Sequence, residues 1–176
     1  MKFGIASRGA VIEGAALRFG AYTPDSQLPW ALFCVPIAAM LTPAGIAWIE
    51  LVLREGEGFM QLLVAPETLN TGTCVAATDM HGAWCFMWNG EVQLDGTCLR
   101  EGTDGWGEPM TVGERVRLVY VAATRMLSVI LHGVSIELVA LPAHHDIAAT
   151  RFGVALGRGH AVRITGASAG ACRLTS

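Results

Sequence analysis

The residues of this chain with chemical capacity are five histidines (His81, His132, His144, His145, His160), five cysteines (Cys34, Cys74, Cys85, Cys98, Cys172) and scattered carboxylates. Adjacent His144 and His145 face opposite ways on an extended strand, and no cysteine stands at finger spacing from them, so they do not share a tetrahedral ion. Neither a metal nor a cofactor is expected, and the histidines read as solvated loop residues. The cysteines form an odd set without a Cys-x-x-Cys pair, which suits neither a disulfide framework nor a zinc knuckle; a reducing, cytoplasmic compartment is the simpler expectation. Cys85 reads as a core residue beside the tryptophans and Cys98 as a strand residue. Asp79 and His81, with hydroxyls nearby, imitate part of a hydrolase triad, yet no Gly-x-Ser-x-Gly elbow accompanies them. Gly157-Arg158-Gly159-His160 imitates a phosphate loop but lacks the Lys-Ser/Thr and the helix that complete one, so it reads as a tight connection. The chain is not expected to be an enzyme. Trp106, set among glycines and acids, is the aromatic expected to be partly exposed, either as an anchor for a partner or folded back as a lid.

These residues need elements to position them. Hydrophobic residues make up 52% of the 176 and charged residues 15%, enough apolar material for one domain with a large core. Apolar runs are all cut short of the ~20 residues that span a bilayer, so no membrane segment is expected. Arg8 and Glu13 interrupt the run that a signal peptide requires. A net charge of -3 and the absence of a Lys/Arg run along the sequence argue against nucleic acid as a partner.

With 21 glycines and turn signals every eight to twelve residues, the chain has the rhythm of an all-β sandwich or barrel with little helix. The strongest stretch is Trp84-Cys85-Phe86-Met87-Trp88 before Asn89-Gly90, with the three rings at period two, apolar residues on the opposite face, and a type I′ turn signal. It predicts a buried strand and a hairpin to Val92 and Leu94. Residues 46–53, apolar on both faces apart from Glu50, predict a central strand. Residues 11–19 predict one strand, 116–131 a second hairpin, and 152–164 a final strand pair around residues 157–160. The longest polar connection, residues 66–82, reads as a functional loop.

The order of these motifs resembles the SPRY (B30.2-like) domain family, a bent antiparallel β-sandwich. Ala47-Trp48-Ile49-Glu50-Leu51 resembles the family's aromatic-x-Glu-Val strand, Ala83-Trp84-Cys85-Phe86 its Ser-Trp-Gly-Tyr strand, and Asn89-Gly90 and Asp95-Gly96 its spaced glycines. Val112-Gly113-Glu114-Arg115-Val116 resembles the Gly-Asp-x-Ile/Val element. The strand ending at His132-Gly133 and residues 152–156 match two late strands. Glu114 stands for the usual Asp, His132 for Asn and Gly153 for Pro. The resemblance implies an N-terminal extension (1–10), a SPRY-like domain (11–166) and a C-terminal tail (167–176).

It also implies a non-enzymatic protein-interaction module that binds a peptide or protein segment through loops at one end of the sandwich. By position those loops hold Tyr22 and Thr23, Asn70 and Thr71, and Arg158 and His160, with Trp106 as a further contact. Arg158 offers a planar fork to carboxylates or carbonyls, and Tyr22 a stacking face. The alternative is a lectin-like sandwich that binds carbohydrate, with Trp106 as platform and Asn70, Asp79 and Asp104 as polar contacts. A third reading is an architectural subunit that packs through a sheet face. Whether the chain is a monomer or an oligomer is left open.

Overall fold

The computed structural model describes residues 2–6, 10–19, 29–56, 60–68, 82–87, 91–94, 97–101, 110–157 and 159–168. Short apolar segments that alternate in polarity and are cut by glycine turns favour strands, which dominate among the described residues. The first sheet has seven strands in the order β1 (Phe3–Ala6), β4 (Trp30–Phe33), β13 (Thr150–Leu156), β6 (Met60–Pro66), β7 (Trp84–Met87), β8 (Val92–Leu94) and β9 (Thr97–Arg100). The second has the order β12 (Val134–Ala140), β11 (Met126–Leu131), β10 (Arg115–Val121), β5 (Ile46–Glu55), β14 (Ala161–Ala167), β3 (Ala16–Phe19) and β2 (Ala10–Glu13). Neighbouring strands run antiparallel in both. One helical turn, α1 (Ile37–Met40), buries Ile37 and Met40.

The sandwich core lies between the sheets, where alternate residues of each strand meet. Ile49, Leu51 and Leu53 of β5, Leu118 and Tyr120 of β10, and Val162 of β14 face Phe152 and Val154 of β13, Leu62 and Val64 of β6, and Trp84 and Phe86 of β7. The period-two reading of residues 84–87 is met: Trp84 and Phe86 belong to this core, while Cys85 joins a second buried cluster with Trp30, Leu32, Leu63, Ala65, Ala83 and Ala155. The central strands of the first sheet, β4, β13, β6 and β7, are therefore buried on both faces, whereas the edge strand β9 is exposed. Pairing of Trp84 with Leu94 and Phe86 with Val92 gives the expected hairpin strands, and β5 is the middle strand of its sheet.

Several expectations need correction. Residues 11–19 form two strands, because Gly14 at φ 63° turns β2 back onto β3. β13 and β14 are not a hairpin: β13 pairs with β4 and β6, whereas β14 pairs with β5 and β3 in the other sheet. Residues 3–6 form β1 on β4, with Phe3 buried, and Ser168 is buried with its hydroxyl donating to the Met40 carbonyl at 2.6 Å. Gly153, where proline was the family's usual residue, allows β4 to approach: a Cβ there would lie 2.6 Å from Leu32 Cδ2 and 2.7 Å from the Ala31 carbonyl oxygen.

Candidate functional site

Strand register fixes which connections share an end of the sandwich. Leu156 pairs with Met60 and Thr150 with Pro66, so β13 finishes, just before residues 157–160, at the end where β6 starts and opposite the end where β6 finishes. Trp30 pairs with Ala155, and Arg18 with Ala161, so the strand ends that bound residues 20–28 lie at the 157–160 end. The strand ends that bound residues 69–81, Pro66 and Trp84, lie at the other end: Val64 pairs with Trp84 and Gln61 with Met87. Seven residues of strand separate these ends by roughly 20 Å. The expected grouping of three loops thus divides at its anchor points into two and one.

Among the expected contact residues, Tyr22, Thr23, Asn70, Thr71, Trp106 and Arg158 lie outside the described residues, as do Asp79, His81 and Asp104. His160 is described and is 6% exposed. Its ring sits over Gly56 (φ 91°), where a Cβ would come within 2.5 Å of the imidazole Cδ2. That position packs His160 between the ends of β5 and β14.

His145 is also not a solvated loop residue. Burial, then the charge of Arg125, pushes its pKa down, and its Nε2 lies 3.1 Å from the Thr150 hydroxyl. Arg125 donates to the carbonyls of Leu141, Pro142 and His145, which ties residues 141–145 to the β10–β11 turn. Cys98 is on β9 but exposed, and its thiol is pushed up by desolvation and by Glu91. Among the described residues no group of three or more His, Cys, Asp or Glu is placed to hold a metal ion.

The outward face of the second sheet carries the polar structure that the sequence reading missed. Arg18, Arg54, Arg115, Arg117 and Arg163 are dispersed in sequence, but β3, β5, β10 and β14 lie side by side and collect them. Glu50 accepts from Arg117 at 2.9 Å, Arg115 at 3.3 Å and the Thr165 hydroxyl at 2.8 Å. Burial pushes its carboxyl up, but the hydrogen bonds from Thr165 and Arg117 and the charges of Arg117 and Arg115 outweigh it and hold the carboxyl below its ordinary value. The Arg117 guanidinium lies 4.5 Å from the centroid of Trp48, a cation–π contact. Toward the 157–160 end, an open groove of about 340 Å³ runs between the β2–β3 turn and the adjoining ends of β5 and β14. Ala15, Ala16 and Ala161 line it with short side chains, and Glu13, Arg18, Arg54, Glu55 and Arg163 supply charge. Arg18 is paired with Glu55 at 2.7 Å; Arg54 and Arg163 have no ion-pair partner among the described residues.

Two of the positions where the sequence departs from the family pattern meet in space. His132 Nε2 lies 2.7 Å from Glu114 Oε1, and the Thr111 amide donates to Glu114 Oε2 at 2.6 Å. That amide, and secondarily His132, holds the Glu114 carboxyl below its ordinary value. His132 and Gly133, at φ 52° and 78°, form the two-residue turn between β11 and β12.

Two seven-stranded antiparallel sheets in this order give the described residues a SPRY-like β-sandwich fold. It is similar to the SPRY domain of human HERC1, at 14% identity and a TM-score of 0.63, over 90% of this chain and 92% of that one. It is similar also to the TRIM65 PSpry domain, at 12% identity and 0.61, over 94% and 88%. Stonustoxin shares the fold at 11% identity and 0.59, over 91% of this chain and 26% of its own. No protein-family profile matches the sequence, and no curated protein does.

Proposed function

We propose that this chain is a non-catalytic interaction module that binds a peptide or protein segment at the end of the sandwich formed around residues 157–160. The observation that carries the reading is likeness to SPRY domains over about nine-tenths of the chain, in a sandwich whose second sheet gathers Arg115, Arg117 and Glu50 on its outer face. A sheet framework held by a continuous core presents connections and an outer face as a fixed surface, which suits recognition with little ordering cost. Tyr22, Thr23 and Arg158 belong to connections whose flanking strand ends share that end of the sheet, which favours them over Asn70 and Thr71 as contacts. The odd set of five cysteines without a Cys-x-x-Cys pair supports a cytoplasmic setting.

The test is selection from a displayed random-peptide library beside a glycan array, with the intact chain and a Tyr22→Ala/Arg158→Ala variant. Enriched peptides that bind the intact chain and bind the variant more weakly are the expected result. Glycan binding with no enriched peptide contradicts the reading, and equal binding by the variant contradicts the placement.

A further inference from the structure

We infer that the groove between the β2–β3 turn and the ends of β5 and β14 is a binding site for an acidic peptide segment, with Arg54 and Arg163 as the carboxylate-binding pair. The inference rests on the proposed interaction function and names the chemistry of its ligand. Arg163 stands opposite Val52 on one side and Ala16 on the other, and Arg54 lies two residues beyond Val52, so both side chains border the groove on the outer face. Ala16 and Ala161 are short, and they line an open depression of about 340 Å³ between the charged side chains.

Charge decides what enters. Of the three arginines in the groove, Arg18 is neutralised by Glu55, while Arg54 and Arg163 keep their forks unengaged among the described residues. Arginine's planar fork matches a carboxylate bidentately, and a pair of such forks around a small-residue floor favours Asp or Glu side chains over neutral ones. Glu13 and Glu55 interrupt the positive field, so the groove offers discrete carboxylate positions rather than a continuous track for a phosphate backbone.

The experiment measures fluorescence anisotropy of the intact chain with a labelled Gly-Ser-Asp-Glu-Asp-Ser-Gly peptide, its Asn/Gln counterpart and labelled oligo-dT. Inorganic phosphate serves as competitor, and Arg54→Gln/Arg163→Gln as the variant. Both arginines are solvent-facing and the variant should melt with the wild type, so a folding failure is visible independently in the melting curve. The inference expects the acidic peptide to bind more tightly than its neutral counterpart, with affinity falling on the order of tenfold in the double variant. The guanidinium Nε–H resonances of Arg54 and Arg163 should shift on titration. If melting shows the double variant unfolded, the single Arg54→Lys and Arg163→Lys variants, which keep charge but lose the fork, carry the same expectation at smaller size. Equal binding of acidic and neutral peptides, unchanged affinity in the variants, tighter binding of oligo-dT, or resonance shifts with phosphate alone overturns the groove. Any of these leaves the interaction reading intact so long as the peptide library yields binders elsewhere; a library with no binders overturns that reading separately.

Discussion

The two sheets of this sandwich treat their outer faces in opposite ways. Behind the first sheet Trp30, Leu32, Leu63 and Cys85 are as buried as the core between the sheets. Across the second, Trp48 lies under Arg117, Glu50 is held by three donors, and arginines rim an open groove. The central strands of one sheet are packed on both sides, and the other sheet is apolar on one side and charged on the other. Function is therefore expected where polar groups have been gathered at the expense of easy burial, and stability where both faces are apolar.

The sharpest way to break that contrast is to truncate one tryptophan on each outer face. Trp30→Ala should cost about 3 to 5 kcal/mol, because it empties a fully buried site. Trp48→Ala, on a partly exposed ring, should cost about 1 kcal/mol. Urea unfolding of both variants measures the difference, and equal costs would erase the distinction between the faces. Next in size is Gly153→Ala. The added methyl meets the Ala31 carbonyl and Leu32 in the first sheet and should cost about 1 to 3 kcal/mol, read as a lowered denaturation midpoint at unchanged slope.

Glu50→Gln sharpens the other side of the comparison. It removes the charge that Arg115 and Arg117 share, and those side chains are 64% and 39% exposed, so solvent screening limits the loss to about 1 kcal/mol. Because the folded-state pKa of Glu50 is lowered, its contribution is fully present above the unfolded-state value and is lost as pH falls through the folded one. Wild type and Glu50→Gln should accordingly converge in stability on acidification, as a pH series of melts would show. The smallest effect is expected from His132→Asn. Asn keeps the positive φ of the turn at little cost and gives up only an exposed pair with Glu114, so stability should stay within about 0.5 kcal/mol.

Local pattern made much of the fold readable. Alternation in residues 84–87 marked a strand buried on both faces, and the apolar run around Glu50 marked the central strand of the second sheet. Alternation does not say which partner a strand will choose. Residues 152–156 and 161–167 look like a hairpin along the chain, yet the turn between them crosses from one sheet to the other. Gly14 divides a stretch that reads as one strand, because a single positive-φ residue is enough to reverse the chain beside it. The candidate site was the least readable part. Arg18, Arg54 and Arg163 are separated by dozens of residues and become neighbours only through the β3, β14 and β5 pairings. His160 carries a polar label in sequence, and only the glycine opposite it reveals that its ring is packed away.

The central claim is that stability and recognition reside on different faces, and the labelled acidic Gly-Ser-Asp-Glu-Asp-Ser-Gly peptide tests it. Affinity for that peptide and free energy of unfolding should be measured together in Arg54→Gln/Arg163→Gln. The predicted result is unfolding within about 0.5 kcal/mol of the wild type and affinity lowered on the order of tenfold. Undiminished affinity in a variant of wild-type stability would contradict it.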